Sequence, residues 1–166
     1  YFAVTATTRA PREGERDGVE YIFLENETFR QMQEQGEFLE CAEVYGKWYG
    51  VPRSQIRDSL QNGNDVILKV DVQGAATVRA LAPGVVSILI VPKSLAELRQ
   101  RLIGRMTESS PEMELRLQTA AQELEQVKEF DYRVINEDGH LDHAIRSIEA
   151  IITSEKCRVT PRIVQL

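Results

Sequence analysis

The chain is 166 residues long, 42% hydrophobic and 28% charged, with a net charge of −6. This length and apolar content suit a globular domain that buries a real core. They exclude an intrinsically disordered chain, and no apolar run is long enough to span a bilayer. The acidic balance argues against a general nucleic-acid binder, which needs many cations against phosphates, but leaves room for a small phosphorylated ligand held by a local arginine cluster.

In chain order, residues 1–7 alternate and are rich in β-formers, which predicts a strand. A polar connection over 9–18 ends in an Asp17-Gly18 turn, and 19–24 reads as a second strand, an antiparallel neighbour of the first. Asn26 is a plausible N-cap for a helix through Gln35, closed by Gly36. Residues 38–45 alternate again, Tyr45-Gly46-Lys47 turns, and Trp48-Tyr49 begins a return strand. A short helix over 53–60 ends at Asn62-Gly63. Residues 66–70 read as a buried strand, 74–82 as a helix broken by Pro83-Gly84, and 85–91 as an apolar strand covered on both faces. Ser94 and Glu97 form a capping box for a helix through Arg105. After a polar break at 106–110, Pro111 opens a long helix. A strand over 132–135 and a final helix striped by Leu141, Ala144, Ile145, Ile148, Ile151 and Ile152 complete the chain. Strand–helix alternation in the last two thirds predicts an α/β fold, a parallel sheet flanked by helices, behind a mixed-β front third.

Four groups of residues could carry chemistry. Arg9 and Arg12 bracket Ala10-Pro11 near Thr5, Glu15 and Tyr21. Two neighbouring guanidiniums repel unless an anion sits between them, and a phosphate fits; the alternative is a solvated loop. Glu40 lies on an apolar strand ahead of Trp48-Tyr49-Gly50. One carboxylate can accept from both N1–H and N2–H of guanine, whereas adenine presents an acceptor at N1; the alternative is an ion pair or an exposed position. Tyr49, like Tyr21, could place a hydroxyl on a phosphate. Asp71 ends a strand, where ligands bind in open α/β sheets, or else caps the next helix. Arg101, Arg105 and Arg116 surround the polar break, as a solvated basic face or as a lid that brings arginines onto phosphates. The cysteines, Cys41 and Cys157, read as reduced thiols of a cytoplasmic protein. His140 and His143 lack Cys or carboxylate partners at metal-site spacing and read as solvated.

The ordered set is more specific than any member. Thr7-Thr8-Arg9-Ala10-Pro11-Arg12-Glu13-Gly14-Glu15 is followed by Gly18, Tyr21, Phe23, Phe38-Leu39-Glu40 and Tyr49-Gly50. Then come Asp71-Val72-Gln73-Gly74, Arg101-Leu102, Arg105, Arg116-Leu117, Asp131-Tyr132 and Val134-Ile135-Asn136. In motif, order and spacing the chain resembles the guanylate kinases from residue 1 to about 152. The resemblance implies a P-loop-kinase-like parallel-sheet core (63–100 and 118–166), an inserted GMP-binding subdomain (mainly 1–62) and a short helical lid (101–117), within one domain. It implies ATP-to-GMP phosphoryl transfer in line, with Mg2+ accompanying ATP and not held by a dedicated protein cage. Arg9, Arg12, Tyr21 and Tyr49 would hold the GMP phosphate. Glu40 and Asp71 would read guanine, with Thr5 where the family uses Ser or Thr. Arg101, Arg105 and Arg116, with Arg9, would act on the phosphoryl group in flight, and Arg101, Arg105 and Asn136 would meet ATP. The implied partners are GMP and ATP, without nucleic acid or membrane.

Three departures qualify the resemblance. No Gly-x-x-x-x-Gly-Lys-Ser/Thr occurs, and Gly46-Lys47 falls in a turn before Trp48. The expectation is that the first strand, phosphate loop and first helix precede Tyr1, and that the 166-residue chain alone binds GMP weakly and turns over little. Val51 stands where a hydroxyl usual in the family could help bind guanine, and Lys69 where many members carry an acid. The rival readings are a catalytically silent guanylate kinase-like domain that binds GMP or a phosphopeptide at the same site, and a kinase for another nucleoside monophosphate.

Overall fold

The computed structural model describes residues 1–104 and 110–164. The chain forms two compact units, Tyr1–Pro83 and the segment from Gly84 onward. The first unit thus takes residues 63–83 in with the front of the chain.

The first unit is built on a four-stranded sheet in the order β2-β1-β4-β3: β1 Ala6–Thr7, β2 Ile22–Phe23, β3 Phe38–Val44 and β4 Lys47–Pro52. β3 and β4 are an antiparallel hairpin whose turn places Tyr45 and Gly46 at φ 51° and 72°, the left-handed pair that suits a two-residue hairpin turn. β1 is shorter than expected because its neighbours spend their backbone groups elsewhere. Ala3 N–H donates to Ile67 at 3.0 Å, and the Gln55 side-chain amide both accepts from Val4 N–H and donates to Val4 carbonyl, each at 2.9 Å. β2 pairs with β1 in parallel, not antiparallel as expected. The long 8–21 connection turns on itself, with Gly18 N–H donating to Tyr21 at 2.8 Å, and so re-enters the sheet in the same direction.

Helix α1, Asn26–Glu34, begins one residue after its cap, Glu25, so Asn26 is inside the helix and not its N-cap. Its Phe29 is fully buried and stacks on Phe38 at 4.5 Å, with Ala6, Ile22, Cys41 and Trp48 around them. Burial of each ring contributes about 2–3 kcal/mol. Gly50 lies beneath this stack. A Cβ there would stand 2.9 Å from the Phe38 ring and 3.1 Å from Phe29. Gly50→Ala is expected to lower stability by about 1–3 kcal/mol, read as a fall in the urea midpoint with an unchanged slope.

A register shift between Phe38 and Glu40 decides what the other sheet face carries. Strict alternation would put both on one face. The bulge lets Phe38 and Cys41 share the core face and turns Glu40 to the opposite one. Cross-strand pairing and alternation then align Tyr21, Thr5, Tyr49, Val51 and Glu40 on that second face. Helix α2 is Arg53–Gln61 and α3 is Val72–Leu81. Residues 66–70 make only an isolated parallel bridge, Phe2 with Ile67, and Ile67 is 46% exposed. The expected buried strand is therefore a half-exposed one, since a strand with one partner is not sandwiched.

In the second unit, β5 Ile88–Val91 and β6 Tyr132–Ile135 pair in parallel, joined through α4 Leu95–Gly104, α5 Ser110–Glu125 and a 3-10 turn, Gln126–Glu129. α6, Leu141–Lys156, follows. β5 was expected to be covered on both faces, yet Ile90 is 54% exposed. On α6, only Ala144 of the predicted stripe is buried, and Leu141 and Ile145 are exposed. Ser94 Oγ accepts from Glu97 N–H at 3.2 Å, one half of the expected capping box. The other half is absent because Glu97 is drawn to Arg101. The start of β6 is fixed by Asp131. Burial pushes its carboxyl up, but the Ser87 backbone N–H and hydroxyl and the Arg162 guanidinium hold it below its usual range.

Candidate functional site

The second sheet face of the Tyr1–Pro83 unit carries two adjoining groups. The first is cationic and phenolic. Arg9 grips Glu15 with two parallel bonds of 2.9 Å, and Glu15 also accepts from Arg12 N–H at 2.7 Å. The Arg9 guanidinium is held above its ordinary value by Glu15 first, against burial, with Tyr49 contributing in the same direction. It lies 5.1 Å from the Tyr21 ring centre, and Tyr21 meets Tyr49 edge-on at 6.1 Å. In the unliganded chain the anion between the arginines is therefore Glu15. The Arg12 side chain is exposed and acts on Glu15 through space. Arg9, Tyr21 and Tyr49 converge; Arg12 stands at the rim.

The second group is acidic. Glu40 is only 7% exposed, and its cross-strand neighbour is Val51, which is 0% exposed. Burial first, and the Asp71 charge second, push its carboxyl up to about 7. Asp71 caps α3 by accepting from Gly74 N–H at 2.7 Å. Gly74 brings this helix end against Glu40: a Cβ there would lie 2.6 Å from Glu40 Oε2. The positive end of α3 favours an ionised carboxylate, but burial and like charge outweigh it. The Thr5 side chain, 6% exposed, leaves its hydroxyl without a hydrogen-bond partner among the described residues. Val51 is closed to water and presents an apolar wall beside Glu40.

The guanylate kinase family model matches residues 1–155. The guanylate kinase of Desulfitobacterium hafniense (strain Y51) is 47% identical over 95% of this chain and 78% of its own. That of Clostridioides difficile (strain 630) is 44% identical over 95% of this chain and 76% of its own. A crystal structure of guanylate kinase from Anaplasma phagocytophilum superposes with a TM-score of 0.82 at 33% identity, covering 96% of this chain and 77% of that one. The chain belongs to the guanylate kinase family. Its α/β fold is that of a P-loop kinase, and its place among kinases disfavours the catalytically silent alternative.

The other residues expected in a guanylate kinase site fall in the second unit. Arg101 on α4 is ion-paired with Glu97 and donates to the Asn136 carbonyl at 2.6 Å, with Asp138 3.9 Å away. Arg101 and Asn136 are thus neighbours. With Gln100, Gly104, Glu137 and Asp138 they line an open cleft of about 500 Å³. Arg116 is half-buried on α5. Arg105, and most of the expected break at 106–110, lie outside the described residues.

Sequence reasoning placed Glu15 near the arginines but did not see that it would occupy Arg9. It read Glu97 as a cap, although its spacing from Arg101 already marks an i,i+4 ion pair. It left Gly74 without a role, and no local signal marks a glycine that must let a helix approach a carboxylate. His140 and His143, expected to lack a carboxylate partner, share one with Asp142; their ligand atoms lie within 4.8 Å of one another. Asp142 is already bonded to Arg146 at 2.8 Å.

Proposed function

We propose that the second sheet face of Tyr1–Pro83 is the GMP site. The reaction is transfer of the γ-phosphoryl group of ATP to GMP, giving ADP and GDP. One observation carries the assignment: the face gathers Arg9, Tyr21 and Tyr49 at one end and Glu40 and Asp71 at the other, a phosphate grip beside a purine grip. Arg9 exchanges Glu15 for the phosphate, with Arg12 closing from the rim. Ionised Glu40 accepts from guanine N1–H and N2–H. Thr5 and Asp71 complete the base contacts.

ATP is assigned to the cleft of Arg101 and Asn136, with Arg105 and Arg116 neutralising the transferring phosphoryl group. Phosphoryl transfer needs little covalent help from protein, so the tasks of these residues are alignment and charge neutralisation. Among the described residues the one cluster of possible metal ligands contains two imidazoles, a donor set for transition metals and not for Mg2+. A Mg2+ arriving with ATP would supply charge neutralisation at its phosphates. No described helix is long and apolar enough to cross a membrane. A cytoplasmic location is supported by the two unpaired cysteines.

The test is a calorimetric titration of the chain with GMP, AMP, CMP and UMP. GMP is expected to bind at least about 100-fold more tightly than AMP, because adenine leaves the Glu40 carboxylate unmatched. Equal affinity for AMP would overturn the assignment.

A further inference from the structure

Lys69 has no part in the function above, yet it touches it. Its ammonium donates to the Tyr21 hydroxyl oxygen at 3.0 Å and stands 4.6 Å from the centre of the same ring. The Arg9 guanidinium lies 5.1 Å from that ring centre, so two cations meet one phenol. Lys69 is exposed and could reach solvent freely. No carboxylate pairs with it among the described residues. The ammonium of this exposed lysine thus rests on the phenol, on both its oxygen and its ring face.

The donor bookkeeping gives that contact a direction. A phenolic oxygen that accepts from an ammonium has that lone pair occupied, and its own O–H must point elsewhere. A phosphate only accepts, so a phenol serves it only by donating. We propose that Lys69 is a positioning residue for the monophosphate: by donating to Tyr21 it turns the Tyr21 O–H toward the phosphate of GMP, a role that rests on the phosphate site proposed above. Lys69 thus strengthens the anion grip. The contribution follows the phosphate and not the base, since Glu40 and Asp71 face guanine.

The test uses Lys69→Met, Lys69→Arg, Tyr21→Phe and the Lys69→Met/Tyr21→Phe double variant. Affinities for GMP and guanosine are measured by calorimetry, and the second ionisation of bound GMP by phosphorus NMR. Lys69→Met is expected to weaken GMP binding about tenfold, leave guanosine unchanged and move the bound phosphate's ionisation to higher pH. Lys69→Arg is expected to restore most of the loss. In the Tyr21→Phe background, Lys69→Met is expected to cost less than about twofold, because the phenol through which it acts is gone. An unchanged GMP affinity in Lys69→Met overturns the role, as does an equal loss for guanosine or a full tenfold loss in the Tyr21→Phe background. Failure of the unsubstituted chain to bind GMP is a separate result, which overturns the phosphate site itself and this role with it.

Discussion

Glu40→Gln is expected to raise the melting temperature of the unliganded chain at pH 8 while weakening GMP binding by about 100-fold or more. Both effects come from one carboxyl. Burial and Asp71 push it from 4.5 up to about 7. Between those values the folded chain binds more protons than the unfolded chain, so stability falls as pH rises. Below pH 4.5 both states are protonated and Glu40 has no effect on the balance; above pH 7 the penalty is complete. Some water still reaches the side chain, so the penalty is discounted from the full shift to about 2 kcal/mol. A neutral amide removes it. Guanine, however, needs an acceptor for two donors, and the amide offers one oxygen beside an NH2 that opposes them. Guanosine affinity should therefore rise about tenfold per pH unit up to pH 7 and flatten above it, because below pH 7 a proton must leave before the base can bind. Guanosine isolates this effect from the ionisation of the GMP phosphate. Differential scanning calorimetry and a guanosine titration from pH 5.5 to 8.5 check both halves. A flat pH profile, or a Glu40→Gln chain no more stable than the parent at pH 8, would refute the account.

Arg9→Lys is expected to weaken GMP binding by about 10²–10³-fold with guanosine affinity nearly unchanged. Arg9 forks onto the two oxygens of Glu15 with equal bonds of 2.9 Å. The same fork is what two oxygens of a phosphate require. A lysine presents one point charge, cannot grip both oxygens, and also loses the stacking of a flat guanidinium over Tyr21 and Phe23. Charge is conserved in the substitution, so the loss reports geometry. Arg9→Met in parallel sets the limit of losing charge as well. If Arg9→Lys bound GMP within a factor of two of the parent, the phosphate would have to be held elsewhere.

The elements that could be read from the sequence share one property: their signals are local. The hairpin is written in an alternating run ahead of the Tyr45-Gly46 turn, and the helices over 26–34, 53–61 and 95–104 in the cap and turn residues near their ends. The motif around Arg9 and Arg12, Glu40 and Tyr49 was recognisable because order and spacing survive without any knowledge of contacts. Exposure was less legible. Residues 66–70 and 85–91 are apolar enough for buried strands, yet Ile67 and Ile90 stand about half exposed because burial depends on what lies across them. The direction of β2 is not legible in its own residues, because a turn inside the 8–21 connection, not the composition of the strand, sets it.

By itself the sequence determined the family, the list of chemically competent residues and the order of most elements, since each of these follows from residue identity over a few positions. The tertiary structure decided how those residues are used. A bulge after Phe38 turned Glu40 onto the face of Tyr49 and away from the phenylalanine core. The approach of α3 and Val51 dried Glu40 and moved its ionisation to about neutrality. The pairing of Ile67 with Phe2 at the start of the chain accompanies the approach of Lys69 to Tyr21, 48 residues away in the chain. Face, burial and charge environment are sums over neighbours distant in sequence, and those neighbours are assigned only when the chain has folded.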